Sequence, residues 1–131
     1  MTMATGEFHV EKWDETPYRQ GDNGRKLTRA TVRQTFKGDI EGEGVTEYLM
    51  AYKADGTADF TGLQTIEGKV GGRKGVLVLR VIGDFDGKCA KANAEVLSGA
   101  CQGDLSALTG KGEFEAPMGQ TGEYSLKYDL H

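Results

Sequence analysis

The sequence has little proline, little cysteine and no long apolar run. Its 131 residues include 2 prolines, 2 cysteines, 2 histidines and 1 tryptophan, against 20 glycines. The scarcity of proline argues against a Pro-rich disordered chain, and the glycines favour many tight turns. No stretch of about 18 apolar residues and no charged-then-apolar leader is present. We therefore expect a single domain over residues 1–131, located in the cytoplasm, with one hydrophobic core.

Charge and cysteine spacing exclude several kinds of partner. The net charge is -4, and the lysines and arginines are scattered among acidic residues. No basic stripe is available to follow a phosphate backbone, so nucleic acid is not expected as a partner. Cys89 and Cys101 fall on separate predicted strands without the clustered spacing of a zinc site. We expect two free thiols, no metal and no cofactor.

Period-two alternation of apolar and polar residues recurs along the chain, whereas helical periodicity does not. Eight strands are predicted, beginning with Thr5–Trp13 and ending with Gly122–Leu130. A polar loop over Asp14–Lys26 follows the first strand, and the seventh strand is placed at Gly103–Phe114. Eight antiparallel strands with short links predict an all-β closed barrel of lipocalin-like size. A β-sandwich is the alternative.

The turns set the registers of the central strands. If Asp55-Gly56 forms a two-residue turn, Glu47 lies opposite Gln64. A four-residue loop over Asp39–Gly42 places Gln34 opposite Glu47. These registers, with turns at Gly71-Gly72 and Asp86-Gly87, put the following residues on the inward face: Ala30, Val32, Gln34, Phe36, Val45, Glu47, Leu49, Ala51, Phe60, Gly62, Gln64, Ile66, Leu77, Leu79, Val81, Ala90, Ala92, Ala94 and Val96.

A carboxylate between two amides on an apolar face is the candidate for chemistry. A carboxyl buried among apolar side chains titrates nearer neutral pH and serves as a general acid or base. Glu47 is therefore the candidate catalytic residue, with Gln34 and Gln64 as polar ligand-binding residues. Candidate lining residues are Phe36, Phe60, Leu79 and Tyr128. The alternative is a buried polar network that only satisfies itself.

The opposite face of the central strands is also partly apolar and predicts a homo-oligomer. Its members are Tyr48, Met50, Tyr52, Leu63, Val76, Val78 and Ile82. The alternative is that the face assignment has slipped within one of these strands, because a slip of one residue reverses every side chain.

Several motifs resemble a bacterial family of unknown function whose members adopt the allene oxide cyclase-like barrel. They are Gln34-Thr35-Phe36, the segment from Gly38 to Gly44, Glu47-Tyr48-Leu49-Met50, and Gly103-Asp104-Leu105 with Gly110 and Gly112. The resemblance extends over nearly the whole chain, from Phe8 to Leu130. It implies an eight-stranded barrel but no settled activity. Members of the wider barrel group include cyclases that act on apolar molecules inside the barrel.

Together these patterns predict a barrel that binds a small, largely apolar molecule in its interior. If it is an enzyme, cofactor-independent isomerisation, cyclisation or hydration is the expected class, since one acid-base group and a dry cavity suffice. The alternative is a non-catalytic structural or interaction module with a packed interior, which acts through its oligomeric surface.

Overall fold

The structure, a computed structural model, describes residues 1–117 and 121–130. Within these residues the regular structure is entirely β. Among the described residues, no helix is long and apolar enough to cross a membrane. The strands are β1 (Thr2–Gln20), β2 (Lys26–Gly38), β3 (Ile40–Tyr52), β4 (Ala58–Val70), β5 (Arg73–Phe85), β6 (Cys89–Val96), β7 (Gln102–Gly103), β8 (Leu108–Pro117) and β9 (Gly122–Leu130).

Eight long strands close into an antiparallel barrel. Each pairs with its neighbour in the order β1-β2-β3-β4-β5-β6-β8-β9, and β9 returns to β1 through the register Thr2↔Tyr128 to Phe8↔Gly122. The two-residue β7 is an addition that pairs with the start of β5. Closure pairs most of the long strands on both sides, but the pairing of β1 with β9 ends at Phe8↔Gly122. The predicted barrel is confirmed.

The predicted faces are correct on most strands. Residues such as Val32, Phe60, Leu79 and Leu126 point inward and are buried. The turn Gly71-Gly72 pairs Val70 with Arg73 as expected, with φ of 58° and 82° at the two glycines. Both central residues of a type I′ turn need positive φ, which glycine adopts without strain. This turn fixes the register of β4 and β5.

The predicted face of β3 is wrong. The Asp55-Gly56 hairpin has a three-residue loop, in which the Gly56 amide donates to the Lys53 carbonyl at 3.1 Å and Gly56 has a φ of 86°. This is a turn followed by a left-handed residue and a bulge, so Glu47 lies opposite Leu63. The link between β2 and β3 is shorter than predicted, and Glu47 pairs there with Thr31. The pairing of β3 is shifted from the predicted register by an odd number of residues on each side. The side chains of β3 therefore point to the faces opposite to those predicted, whereas those of β2 and β4 keep theirs.

The first strand is longer than predicted and contains a register shift. β1 runs on through the segment predicted as a loop, and its pairing with β2 steps from Val10↔Gln34 to Lys12↔Arg33. The extra residue, Glu11, is a β-bulge, which moves the following side chains to the other face. Phe8 is buried before the bulge. Glu15 points inward after it.

One end of the barrel is closed by packed side chains. Leu77, Leu105 and Leu108 are completely or almost completely buried there. The Tyr124 hydroxyl accepts a hydrogen bond from the Ile40 amide at 2.8 Å and donates one to the Lys37 carbonyl at 2.8 Å. It thereby holds the short β2–β3 link. The predicted seventh strand, Gly103–Phe114, is wrong in its first part, because residues 104–107 form turns over this end and β8 begins at Leu108.

Candidate functional site

A cavity of about 680 Å³ occupies the other half of the barrel. It adjoins the part of β1 beyond the β9 pairing, which ends at Phe8↔Gly122, whereas β1 continues along β2 to Gln20↔Lys26. The volume lies within the usual range of small-molecule sites, about 300–1,000 Å³. The lining residues are Phe8, His9, Val10, Trp13, Glu15, Val32, Gln34, Tyr48, Met50, Tyr52, Phe60, Phe85, Ala90, Phe114, Ala116, Pro117 and Thr121.

Aromatic rings form a large part of the cavity wall. Trp13 stacks on Tyr48 with ring centroids 6.2 Å apart, and Tyr48 meets Phe60 edge-on at 5.1 Å. On another side, Phe8 meets Phe114 edge-on at 5.7 Å. These rings pack against one another in the geometries that aromatic pairs prefer. These ring pairs give the wall a largely apolar surface.

Glu15 supplies the carboxylate of the cavity and is held by three donors. Its Oε2 accepts hydrogen bonds from the Thr28 hydroxyl at 2.6 Å and the Tyr52 hydroxyl at 2.7 Å. Its Oε1 accepts one from the Trp13 indole at 2.8 Å. Partial burial acts to raise the pKa of Glu15, but these hydrogen bonds and the nearby charge of Lys26 outweigh it, so the pKa lies below its ordinary value. Glu15 is ionised at neutral pH.

A buried polar cluster adjoins the deep side of the cavity. The Thr46 hydroxyl donates to Gln34 Oε1 at 2.9 Å, and Gln64 Nε2 donates to the Thr46 oxygen at 3.0 Å. Burial raises the pKa of the Tyr48 hydroxyl to about 12, although hydrogen bonds with Thr46 and Gln34 act in the opposite direction. Only Gln34 and Tyr48 of this cluster line the cavity. The cluster presents one amide and one protonated phenol to its interior.

The predicted row of Gln34, Glu47 and Gln64 is only partly correct. Gln34 and Gln64 are buried together, with Gln64 Nε2 at 3.4 Å from Gln34 Oε1. Thr46 occupies the position between them that was predicted for Glu47. The Glu47 side chain is on the outer face, where it accepts hydrogen bonds from the Thr31 hydroxyl and lies 4.0 Å from Arg29 Nε. The register argument for a catalytic role of Glu47 therefore loses its basis.

The predicted lining residues divide between the two halves of the barrel. Phe60 lines the cavity. Phe36, Leu79 and Tyr128 are buried but do not line it. They belong to the packed half, where the Phe36 ring meets the Tyr124 ring edge-on at 5.7 Å. The interior is thus neither fully open nor fully packed.

Sequence reasoning missed Glu15, Trp13 and Tyr52 as cavity residues. Trp13 and Glu15 were placed at the end of a strand and in a loop, and Tyr52 was placed on the outer face. One signal was present: the spacing from Val10 to Trp13 breaks the period-two pattern, as a bulge does. The hydrogen bond from Tyr52 to Glu15 joins residues 37 positions apart, and no local pattern predicts it.

The predicted oligomer face is altered by the reversal of β3. Tyr48 and Met50 are buried inside, Tyr52 borders the cavity, and Val76 and Val78 are partly buried. The exposed apolar side chains on the outer face of β3, β4 and β5 are Val45, Leu49, Leu63 and Ile82. Self-association stays a prediction, now through these four residues.

Residues 4–128 match the family model described as "Protein of unknown function (DUF3224)". The chain belongs to this family. A crystal structure of a DUF3224 protein of unknown function from Shewanella oneidensis MR-1 is similar to this chain over its whole length. The two share 28% identity with a TM-score of 0.84, covering 100% of this chain and 98% of the other. No curated protein matches the sequence. The predicted resemblance to a family of unknown function is confirmed, and it assigns no activity.

Proposed function

We propose that this DUF3224 protein binds a small, largely apolar molecule inside its barrel. The observation that supports the proposal is the cavity of about 680 Å³ with its wall of aromatic rings and few polar groups. A site that buries an apolar ligand and orients it by a few polar contacts has this composition. Gln34, Glu15 and Tyr48 are among the polar groups available for orientation.

Three ionisable side chains of the cavity, Glu15, Tyr48 and Tyr52, are poorly suited to acid-base turnover. A general acid or base works best when its pKa lies near the working pH. The pKa of Glu15 is lowered, and burial raises the pKa of both Tyr48 and Tyr52. Each group therefore stays in one protonation state across the neutral range. Isomerisation, cyclisation or hydration is the class to test if a bound molecule is found to change.

The fluorescence of Trp13 offers a direct test, because it is the single tryptophan and it lines the cavity. Titration with the neutral probe N-phenylnaphthylamine should change this fluorescence saturably, with one probe bound per chain. In Ala90→Phe the larger side chain occupies part of the cavity. If it removes about 55 Å² of apolar contact between probe and wall, binding weakens about tenfold. Thr65→Phe on the outer face is the matched control. No saturable change, or equal affinity in both variants, would refute the proposal.

Self-association is a second candidate, favoured by one specific observation. Leu49, Leu63 and Ile82 are each more than half exposed and lie on three adjacent strands. A second copy of this chain is the proposed occupant. Light scattering should give a mass above that of one chain for the wild type and a lower mass for Leu63→Lys, whereas a monomeric wild type would contradict it.

The two unpaired cysteines are consistent with the proposed cytoplasmic location.

A further inference from the structure

The carboxylate of Glu15 stands at an edge of the cavity, whose lining includes many apolar and aromatic side chains. Tyr52 lies at the end of β3, and Glu15 accepts hydrogen bonds from it and from Thr28 on β2, which pairs with Met50. We infer that the molecule bound in the cavity carries an amine or another cationic nitrogen, which pairs with Glu15 at this edge while the apolar part lies among the rings. This inference rests on the proposed binding function and names the class of its ligand.

The carboxylate is held in place with acceptor capacity to spare. A carboxylate has about four acceptor positions. The donors Thr28 and Tyr52 use two on Oε2, and Trp13 uses one on Oε1. A further position therefore remains on Oε1. Because three side chains fix the carboxylate, a ligand gains a hydrogen bond there without having to order Glu15.

The charges and rings around this position favour a cation over an anion. Among the described lining residues, Glu15 is the only carboxylate, and no lysine or arginine is present. The rings of Trp13 and Tyr52 adjoin the carboxylate through their own donors, and aromatic faces attract cations. The ring of Tyr52 already contacts one cation, since the ammonium of Lys26 lies 4.8 Å from its centroid. An anionic ligand would meet repulsion from Glu15, which the neighbouring ammonium of Lys26 offsets only in part.

Three probes of nearly equal size separate the ligand classes. Naphthylethylamine is cationic, naphthylethanol is neutral and naphthylacetate is anionic, and binding of each is measured by the fluorescence of Trp13 above the ordinary titration range of histidine. The amine should bind roughly three- to tenfold more tightly than the alcohol, as expected for an ion pair at a protein edge. The anion should bind most weakly. Added salt should weaken amine binding and leave alcohol binding nearly unchanged.

Glu15→Gln should remove the preference for the amine while keeping affinity for the alcohol, with Glu67→Gln on the outer face as the matched control. If Glu15→Gln fails to fold, the amine-to-alcohol ratio and its salt dependence in the wild type still decide the question. Equal affinities for amine and alcohol, or tightest binding of the anion, would overturn the inference and leave the cavity as a binding site. If no probe binds, the proposed function itself is refuted.

Discussion

Replacing Gly122 with alanine should destabilise the barrel through one side chain, that of Phe8. The two residues are cross-strand partners, and the nearest atoms to a methyl group at Gly122 all belong to the Phe8 ring. That ring is 3% exposed and is fixed between Phe36, with centroids 5.6 Å apart, and Phe114, at 5.7 Å. The added methyl group must therefore displace a ring that is packed on two sides.

The expected cost is that of overpacking a core, about 1–3 kcal/mol. The φ of Gly122 is not in the left-handed region, so alanine adds no backbone strain. For a chain of this size each kcal/mol lowers Tm by roughly 3–5 °C. Urea denaturation followed by circular dichroism measures the free energy of unfolding. Because Phe8 also lines the cavity, the displaced ring should weaken binding of N-phenylnaphthylamine as well.

A double-mutant cycle assigns the effect to the ring. In a Phe8→Leu background, Gly122→Ala should cost less by at least about 0.5 kcal/mol, because the smaller side chain leaves room for the methyl group. Gly21→Ala, in the surface turn after β1, is the control and should change the free energy of unfolding by less than about 0.5 kcal/mol. A loss in Gly122→Ala that is the same with Phe8 or Leu at position 8 would refute this reasoning.

Three further predictions concern the polar groups of the barrel. Thr46→Val leaves Gln34 and Gln64 short of a hydrogen-bond partner and should lower the free energy of unfolding, measured by urea denaturation, by about 1–3 kcal/mol. Thr65→Val on the outer face should lower it by less than about 0.5 kcal/mol. Equal losses in the two variants would contradict the role of the cluster. Because the pKa of Glu15 is lower in the folded state, ionised Glu15 stabilises the fold above the ordinary glutamate range, and this contribution is lost as the pH falls through the folded pKa. The difference in free energy of unfolding between wild type and Glu15→Gln should therefore narrow on acidification. A difference that stays constant with pH would refute this. In a spectrophotometric titration of the folded protein, Tyr48→Phe should remove the ionisation of one tyrosine with a pKa of about 12. Loss of a tyrosine that ionises at the ordinary pKa would contradict the burial of Tyr48.

Much of the fold was predictable because glycine turns and alternation are local signals. The pair Gly71-Gly72 fixes the register of β4 and β5. Phe85, at the end of β5, pairs with Ala90 on β6. A two-residue turn at Asp86-Gly87 would instead pair Phe85 with Lys88, so the observed register is displaced by two residues. An even displacement leaves the faces unchanged, so the inward alanines were still predicted correctly.

The face of β3 was not predictable in the same way. Both of its faces carry apolar side chains, with Leu49 on one and Tyr48 on the other, so composition did not correct the turn assignment. The short link before β3 depends on hydrogen bonds with Tyr124, whose hydroxyl accepts one from the amide of Ile40, 84 residues away. The position of Glu15 depends likewise on a bulge and on Tyr52. The bulge breaks the local period-two pattern, but the contacts of Tyr124 and Tyr52 leave no trace in it.

The most direct test of the central claim is a crystal structure of the protein grown with N-phenylnaphthylamine. The account predicts electron density for one probe inside the barrel, between the Tyr48–Phe60 wall and Phe114. An interior filled by rearranged side chains, or a probe bound only against Leu63 and Ile82 on the outer face, would contradict it.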